Sequence, residues 1–204
     1  MEKGENRRLS AVEFERNAIA TDKLDRRMET ALLGLVGEVG SLVSALKKKR
    51  RDTDGFLGYH DAVLEEFGDV LWYVSAVARR GGTTLEDVLI RAIGEVNDQS
   101  HVTLGLLAPR GLRGIDEAAF EQSLLELAGE SGDLAKRFAG AAYTDNVDAL
   151  RGDLIKFVRP LGRAASAAEV SLDEAGLKNI EPPRVCRRPF GLSYAAMADC
   201  SSMA

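Results

Sequence analysis

The chain has 204 residues, 45% of them hydrophobic, enough for one sizeable core or for two small halves that share one. Its 27 basic and 32 acidic residues give a net charge of −5. That balance excludes a broad cationic surface for sequence-independent nucleic acid binding, although a small anionic ligand needs only a local cluster of positive charge.

Strand signals are weak, because β-branched residues rarely alternate with polar ones while apolar residues recur at spacings of three and four. An all-α chain is therefore expected. The polar start MEKGENRRLS is not followed by an apolar run, so no signal peptide is read there. A first helix is expected at Ala11–Ala20 and a second at Arg27–Lys49. The run Lys47-Lys-Lys-Arg-Arg51 sits at the second helix's C-terminus, where cations suit the dipole. The third helix, Tyr59–Arg80, is apolar nearly all round from Val70 to Val77, hence buried, and Gly81-Gly82 ends it. Thr84-Leu-Glu-Asp87 places a hydroxyl before an acidic first turn and caps a fourth helix, Leu85–Asp98. The segment His101–Gly114, with three glycines and one proline, reads as a linker. Helices at Glu117–Ala141 and Asp145–Ala164 follow, and Ser171-Leu-Asp-Glu174 caps the last, Leu172–Asn179. From Glu181 onward, Pro182, Pro183 and Pro189 and the lack of periodicity indicate an extended or partly disordered tail. That tail holds Cys186 and Cys200, which make neither a disulfide framework nor a zinc site. No apolar stretch is read as long enough to span a membrane. The expectation is a cytoplasmic protein with neither a membrane nor a nucleic acid as partner.

The chain also repeats itself. Leu35-Val-Gly-Glu-Val-Gly-Ser-Leu42 resembles Leu127-Ala-Gly-Glu-Ser-Gly-Asp-Leu134, Gly68-Asp-Val-Leu71 resembles Gly152-Asp-Leu-Ile155, and Thr84-Leu-Glu-Asp87 resembles Ser171-Leu-Asp-Glu174. The order is kept and only the connecting lengths vary, as in two diverged copies of a helical hairpin plus a third helix. The expected division is a first half at 1–100, a linker at 101–115, a second half at 116–180 and a tail at 181–204.

Three carboxylates draw the eye toward chemistry. Glu38 lies at the edge of the stripe made by Leu32, Leu35, Val36, Val39, Leu42, Val43 and Leu46. Gly34, Gly37, Gly40, Ser41, Ser44 and Ala45 surround it, and each helical glycine costs about 1 kcal/mol against alanine. Either a helix or a ligand must therefore come close. Glu66 and Asp69 are three apart on the third helix, on one face. None of the three acids has a cation three or four residues away on its own helix. A buried unpaired charge is costly, and clustered carboxylates that hold an oxygen-preferring cation resolve the problem. The competing readings are a solvated face or an interhelical salt bridge, with Arg79, Arg80 or the Lys47–Arg51 run supplying the cation.

In the second copy Glu126, Glu130, Asp133 and Arg137 share a face, and Asp133 can pair with Arg137 at four-residue spacing. Asp153 has Lys156 three residues on, and Leu150 stands where Glu66 stands in the first copy. The second copy is read as chiefly structural, with Glu130, Asp133 and Asp153 kept as candidates for a second site.

The segments Gly34-Leu-Val-Gly-Glu-Val-Gly-Ser-Leu-Val-Ser-Ala-Leu-Lys-Lys48 and Leu64-Glu-Glu-Phe-Gly-Asp-Val-Leu-Trp-Tyr-Val74 closely resemble the MazG-like all-α nucleoside triphosphate pyrophosphohydrolases, to which the dimeric dUTPases are related. The resemblance covers roughly Ala11 to Gln99. It implies a helical bundle whose four-helix core is built by a homodimer or, as the repeat suggests, by two tandem halves forming a pseudo-dimer. It implies hydrolysis of a nucleoside triphosphate between the α and β phosphates, giving a monophosphate and pyrophosphate, with Mg²⁺, or Mn²⁺ in its place. Carried over position by position, Glu38, Glu66 and Asp69 become catalytic metal ligands. Ser41 and Glu65 become candidates for positioning water, and Lys47, Lys48 and Lys49 candidates for phosphate contacts. The family pattern departs at two places. Ser41 stands where a second glutamate is usual, and Ala92 and Glu95 stand where asparagine and lysine are frequent. These departures keep open a family member that binds a nucleotide or a protein partner without hydrolysis. A helical interaction module with salt-bridged acids is the third reading. His60 at a helix start and His101 in the linker read as surface residues, and Trp72 and Tyr73 as core rather than as a platform for a base.

Overall fold

The computed structural model describes residues 7–52, 55–94, 102–108 and 115–181. These form α1 (Ala11–Thr21), α2 (Met28–Asp52), α3 (Tyr59–Arg80), α4 (Leu85–Ile93), a short 3₁₀ turn (Leu104–Leu107), α5 (Glu117–Ala139), α6 (Val147–Ala167) and α7 (Leu172–Ile180). Sheet-like pairing among the described residues is limited to an isolated bridge between Ser10 and Thr103. The fold is all-α, as the apolar spacing requires.

Helix boundaries have local causes. The side chains of Ser10, Thr84, Asp116, Asn146 and Ser171 each accept a hydrogen bond from a first-turn amide. Each such cap contributes about 1 kcal/mol. Asn146 moves the start of α6 two residues later than Asp145, which takes a left-handed φ of 53°. Helix α2 continues past Lys49 to Asp52, which pairs with Arg51 at 2.6 Å. Helix α4 stops at Gly94, with φ 90°; the expected continuation to Asp98 lies outside the described residues. So do His101, Cys186, Cys200 and the tail beyond Glu181.

Two hairpins make the core. Helix α2 packs on α3, α5 packs on α6, and α2 packs on α5. Phe67 of α3 and Phe120 of α5 meet with ring centroids 6.4 Å apart, both fully buried. Burying such a side chain contributes about 1.5–3 kcal/mol. The third helices cross over: α4 packs on α6, and α7 packs on α3. The second crossing depends on Gly68, where a Cβ would stand 2.6 Å from the Ala175 carbonyl oxygen.

Part of the segment read as a linker is packed. Val102 and Leu104 are buried, and the Gly105 amide donates to Asp173 Oδ1 at 3.0 Å, as does the Leu9 amide at 3.1 Å. Asp173 thus gathers the chain before α1 and the 3₁₀ turn onto α7.

Two expectations about α2 are corrected. It is long and apolar enough, by length and composition, to cross a membrane. Its apolar side, however, lies against α3 and α5 with the charged Glu38 among the buried residues, the arrangement of a core helix. Val36 also leaves the buried stripe: it is 37% exposed, beside Leu33 at 75%. Periodicity gave the stripe too wide an arc on that side.

Candidate metal and nucleotide site

Glu38 on α2 meets Glu66 and Asp69 on α3, with one carboxylate oxygen from each lying within 4.8 Å of the others. Among the described residues this is the one such group of acids and sulfur or imidazole ligands. Glu38 is only 7% exposed, while Glu66 and Asp69 are half-buried. Backbone spacing explains the convergence. Positions 66 and 69 share a face of α3, and that face turns to the groove with α2 where Glu38 emerges between Leu35, Val39 and Leu42.

One glycine is required by this geometry. A Cβ at Gly34 would collide with the Tyr73 ring, which packs on the α2 backbone one turn before Glu38. Gly37 and Gly40, by contrast, have open space within 4 Å of a built Cβ. The expected close approach is real at Gly34 and absent at the other two. Tyr73 also meets Trp72 edge-on at 4.9 Å, and the Trp72 indole N–H donates to Thr21 Oγ1 at 3.1 Å.

The electrostatics are those of crowded acids. Burial pushes the Glu66 carboxyl up to about 8, and the charges of Glu38 and Asp69 add to that. Burial also raises Glu38, although hydrogen bonds from Glu66 and Ser41 work in the other direction. Tyr73 is raised by burial and then by Glu38 and Asp69. Among the described residues, no lysine or arginine forms an ion pair with Glu38 or Glu66; Arg79 and Arg80, the proposed competitors, are held by Asp22. Asp69 Oδ1 accepts a hydrogen bond from the Asn179 side-chain amide at 2.6 Å. An all-oxygen, acidic set of this kind suits Mg²⁺, which takes one or two carboxylates and leaves its other positions to water and phosphate oxygens.

Beside the acids opens a cleft of about 480 Å³, lined by Ser41 and Lys48 of α2, Phe56 of the following loop, and Asp61, Glu65 and Glu66 of α3. Ser41 therefore touches both Glu38 and the cleft. Glu65, around the helix from Glu66, still reaches the same opening. Of the three candidate phosphate-binding lysines, Lys48 lines the cleft, with Nζ 4.2 Å from the Phe56 ring centroid. Lys49 lies over Tyr59 at 5.8 Å, and Lys47 is exposed. His60 is exposed at the start of α3.

The acids of the second half are arranged differently. Asp153 is buried and held from three sides: Tyr143 Oη donates to it at 2.9 Å, and Lys156 and Arg137 pair with it at 3.0 and 2.5 Å. The expected Asp133–Arg137 pair along α5 is replaced, since Arg137 turns across to Asp153 on α6. A half-exposed arginine gains more from a buried carboxylate than from a solvated one. Glu130, Asp133 and Asp153 do not form a three-acid group among the described residues.

Two residues at the site were missed from sequence. Phe56 lies in an irregular loop with no periodicity to mark it. Asn179 left a trace: it follows Ala92 by the same 87 residues that separate Ser171 from Thr84.

Comparison with known proteins agrees with this geometry. Residues 26–97 match the MazG nucleotide pyrophosphohydrolase domain, a span that contains α2, α3 and α4 and all three acids. The Gene 37 protein of Mycobacterium phage L5 is 35% identical over 81 residues, 39% of this chain and 69% of the phage protein. No solved structure matches the chain. The converging acids on α2 and α3, the matched span and the similarity to the phage protein together show that the chain belongs to the MazG nucleotide pyrophosphohydrolase family.

Proposed function

We propose that this chain is a magnesium-dependent nucleoside triphosphate pyrophosphohydrolase, with Mn²⁺ able to substitute, whose metal ligands are Glu38, Glu66 and Asp69. The observation that carries this reading is the meeting of three carboxylates within 4.8 Å inside the family-matched segment. A bound divalent ion supplies charge neutralisation at the phosphate oxygens and activates water. The chain's own residues do the rest. Glu38, Glu66 and Asp69 fix the position where that charge acts. Ser41, hydrogen-bonded to Glu38, holds the acid's orientation and presents a hydroxyl to the cleft. Lys48, two turns beyond Ser41 on α2, offers the triphosphate a cation on the same wall of the cleft. The oxygen of water bonds to the α-phosphorus, the bond from that phosphorus to the bridging oxygen breaks, pyrophosphate leaves with the bond's electron pair, and the proton lost by the water passes to solvent.

The test is pyrophosphate release by purified protein across a panel of ribo- and deoxynucleoside triphosphates with and without Mg²⁺. Release that is metal-dependent and at least 100-fold lower in Glu66→Ala and Asp69→Ala is expected, an order of magnitude typical for loss of transition-state charge stabilisation. Unchanged release in those variants removes the assigned site. A second reading, nucleotide binding without turnover, is favoured by Ser41 at the position of a usual acid and by Ala92 at that of a usual asparagine; calorimetry showing affinity without hydrolysis is its signature.

The tandem arrangement is likewise our inference. Its support is the reciprocal crossing of α4 onto α6 and α7 onto α3, together with the ordered repeats. Each half then lends its third helix to the other, as two subunits of a dimer do.

A further inference from the structure

We propose that the second half completes the metal site through Asn179, a positioning residue that fixes the carboxylate of Asp69. This rests on the reading of Glu38, Glu66 and Asp69 as metal ligands.

Three observations converge on it. The Asn179 amide nitrogen donates to Asp69 Oδ1 at 2.6 Å, across a sequence separation of 110 residues. Helix α7 is held close enough for this by Gly68, next to Asp69, where a Cβ would stand 3.0 Å from Asn179 Cβ and 2.6 Å from the Ala175 carbonyl oxygen. Lys178, the preceding residue, donates to the Asp61 carbonyl oxygen at 3.1 Å and lies 4.0 Å from Glu65. Two consecutive side chains of α7 thus land on residues of the cleft and the acid cluster.

The helix that does this is the counterpart of α4. Helix α4 reads Leu85-Glu-Asp-Val-Leu-Ile-Arg-Ala-Ile93, and α7 reads Leu172-Asp-Glu-Ala-Gly-Leu-Lys-Asn-Ile180. The two sequences agree in residue or character except at Leu89 against Gly176 and Ala92 against Asn179. At Gly176 a Cβ would crowd Leu104 and Leu9, at 2.6 and 2.9 Å, so this difference serves the close docking of α7. The other difference serves Asp69. Helix α4, with its alanine, packs on α6, whose Asp153 is already held by Arg137, Lys156 and Tyr143. Helix α7 delivers its asparagine to α3, whose Asp69 stands among acids. An amide N–H on one carboxylate oxygen stops the group from rotating away from its acidic neighbours, while leaving acceptor capacity for a cation. Partners of this kind that orient a ligand typically change metal affinity 10–100-fold when removed.

The experiment is calorimetric titration of the full chain with Mn²⁺, with melting of the metal-free protein alongside, for wild type, Asn179→Ala, Asn179→Leu and Glu66→Gln. Leucine keeps the volume of asparagine without its donor, so α7 can remain docked if alanine loosens it. The expected result is about 10–100-fold weaker Mn²⁺ binding in the Asn179 variants, with the metal-free midpoint of Asn179→Leu within about 4 °C of wild type, and loss of binding in Glu66→Gln. Wild-type affinity in Asn179→Leu, with binding lost in Glu66→Gln, overturns the positioning role and leaves the metal site standing. A lowered metal-free midpoint with unchanged affinity assigns Asn179 to packing alone and also overturns it. Failure of wild type to bind Mn²⁺, or equal binding by wild type and Glu66→Gln, removes the metal site and the proposal with it.

Discussion

Replacing Glu66 with glutamine should stabilise the metal-free protein near neutral pH and destroy its response to metal. The folded-state value of Glu66 is about 8, against an ordinary 4.5, because burial and the charges of Glu38 and Asp69 disfavour ionisation. Below pH 4.5 the carboxyl is protonated in both folded and unfolded chains and costs nothing. Between 4.5 and 8 the unfolded chain ionises while the folded one resists, so stability is lost as pH rises, and above 8 the loss is constant. At 1.36 kcal/mol per pH unit the interval sets a ceiling of about 5 kcal/mol. Glu66 is half-buried, and solvent screening reduces this to about 1–2 kcal/mol. Glutamine removes the penalty while keeping an N–H to donate to Glu38. For a chain of this length the metal-free midpoint at pH 8 should rise by about 2–8 °C in Glu66→Gln, and the difference should vanish near pH 4.5. With Mg²⁺ the order reverses, because only wild type gains the stabilisation of a ligand that binds the folded state. Thermal melts across pH 4.5–9, with and without Mg²⁺, read both effects. A metal-free Glu66→Gln protein less stable than wild type at pH 8, or one that gains as much from Mg²⁺, refutes the account of crowded acids awaiting a cation.

Metal binding requires the acids ionised, so the Mg²⁺-induced rise in melting temperature of wild type should grow from pH 6 to pH 9; a rise that shrinks over that range contradicts the assignment. Gly37→Ala and Gly40→Ala, in open space on α2, should each stabilise by about 0.5–1 kcal/mol in urea unfolding, whereas Gly34→Ala should destabilise and weaken Mg²⁺ binding by displacing Tyr73. Lys48→Met should raise KM for a triphosphate by about tenfold, the equivalent of one phosphate contact at roughly 1.4 kcal/mol, while leaving the Mg²⁺-induced melting shift intact. Asp153→Asn should cost about 1–3 kcal/mol in urea unfolding through its broken ion pairs; no measurable cost would show that the Arg137 and Lys156 pairs contribute little to the second half.

The helices were legible in the sequence where a cap or an apolar period writes itself locally. Thr84 and Ser171 announced α4 and α7 through a hydroxyl and an acidic first turn, and both accept the expected amide. The acid trio was legible for a related reason: counting three and four residues along a helix finds missing counter-charges as readily as present ones. The same counting cannot see across helices. It offered Arg137 to Asp133 on its own helix, whereas the deeper carboxylate of Asp153 on α6 takes it. It assigned Val36 to the core because apolar character does not tell which side a neighbour occupies. It treated residues after His101 as a connection, though Leu104 and Gly105 are pinned by Leu9 and Asp173 from opposite ends of the chain.

On the tandem reading proposed above, the crossing of α4 onto α6 and of α7 onto α3 bears on what the second half does for the first. If that half only filled space, Asp153 could as well be apolar, as Leu150 is at the position that the tandem reading pairs with Glu66. Instead it is held by two cations and a tyrosine hydroxyl, and cutting one partner from such a set leaves a buried charge exposed to its full desolvation cost. Those contacts join α5, α6 and the loop carrying Tyr143, and α7 follows α6 after a turn of a few residues. The docking of α7 against Gly68, and with it the 2.6 Å bond from Asn179 to Asp69, should therefore respond to loosening of a half with no three-acid group of its own among the described residues. Loosening that half with Tyr143→Phe should accordingly weaken Mn²⁺ binding at the distant acids as well as lower the midpoint of the metal-free protein. A lowered midpoint with wild-type Mn²⁺ affinity would show that the two halves share a core but no function.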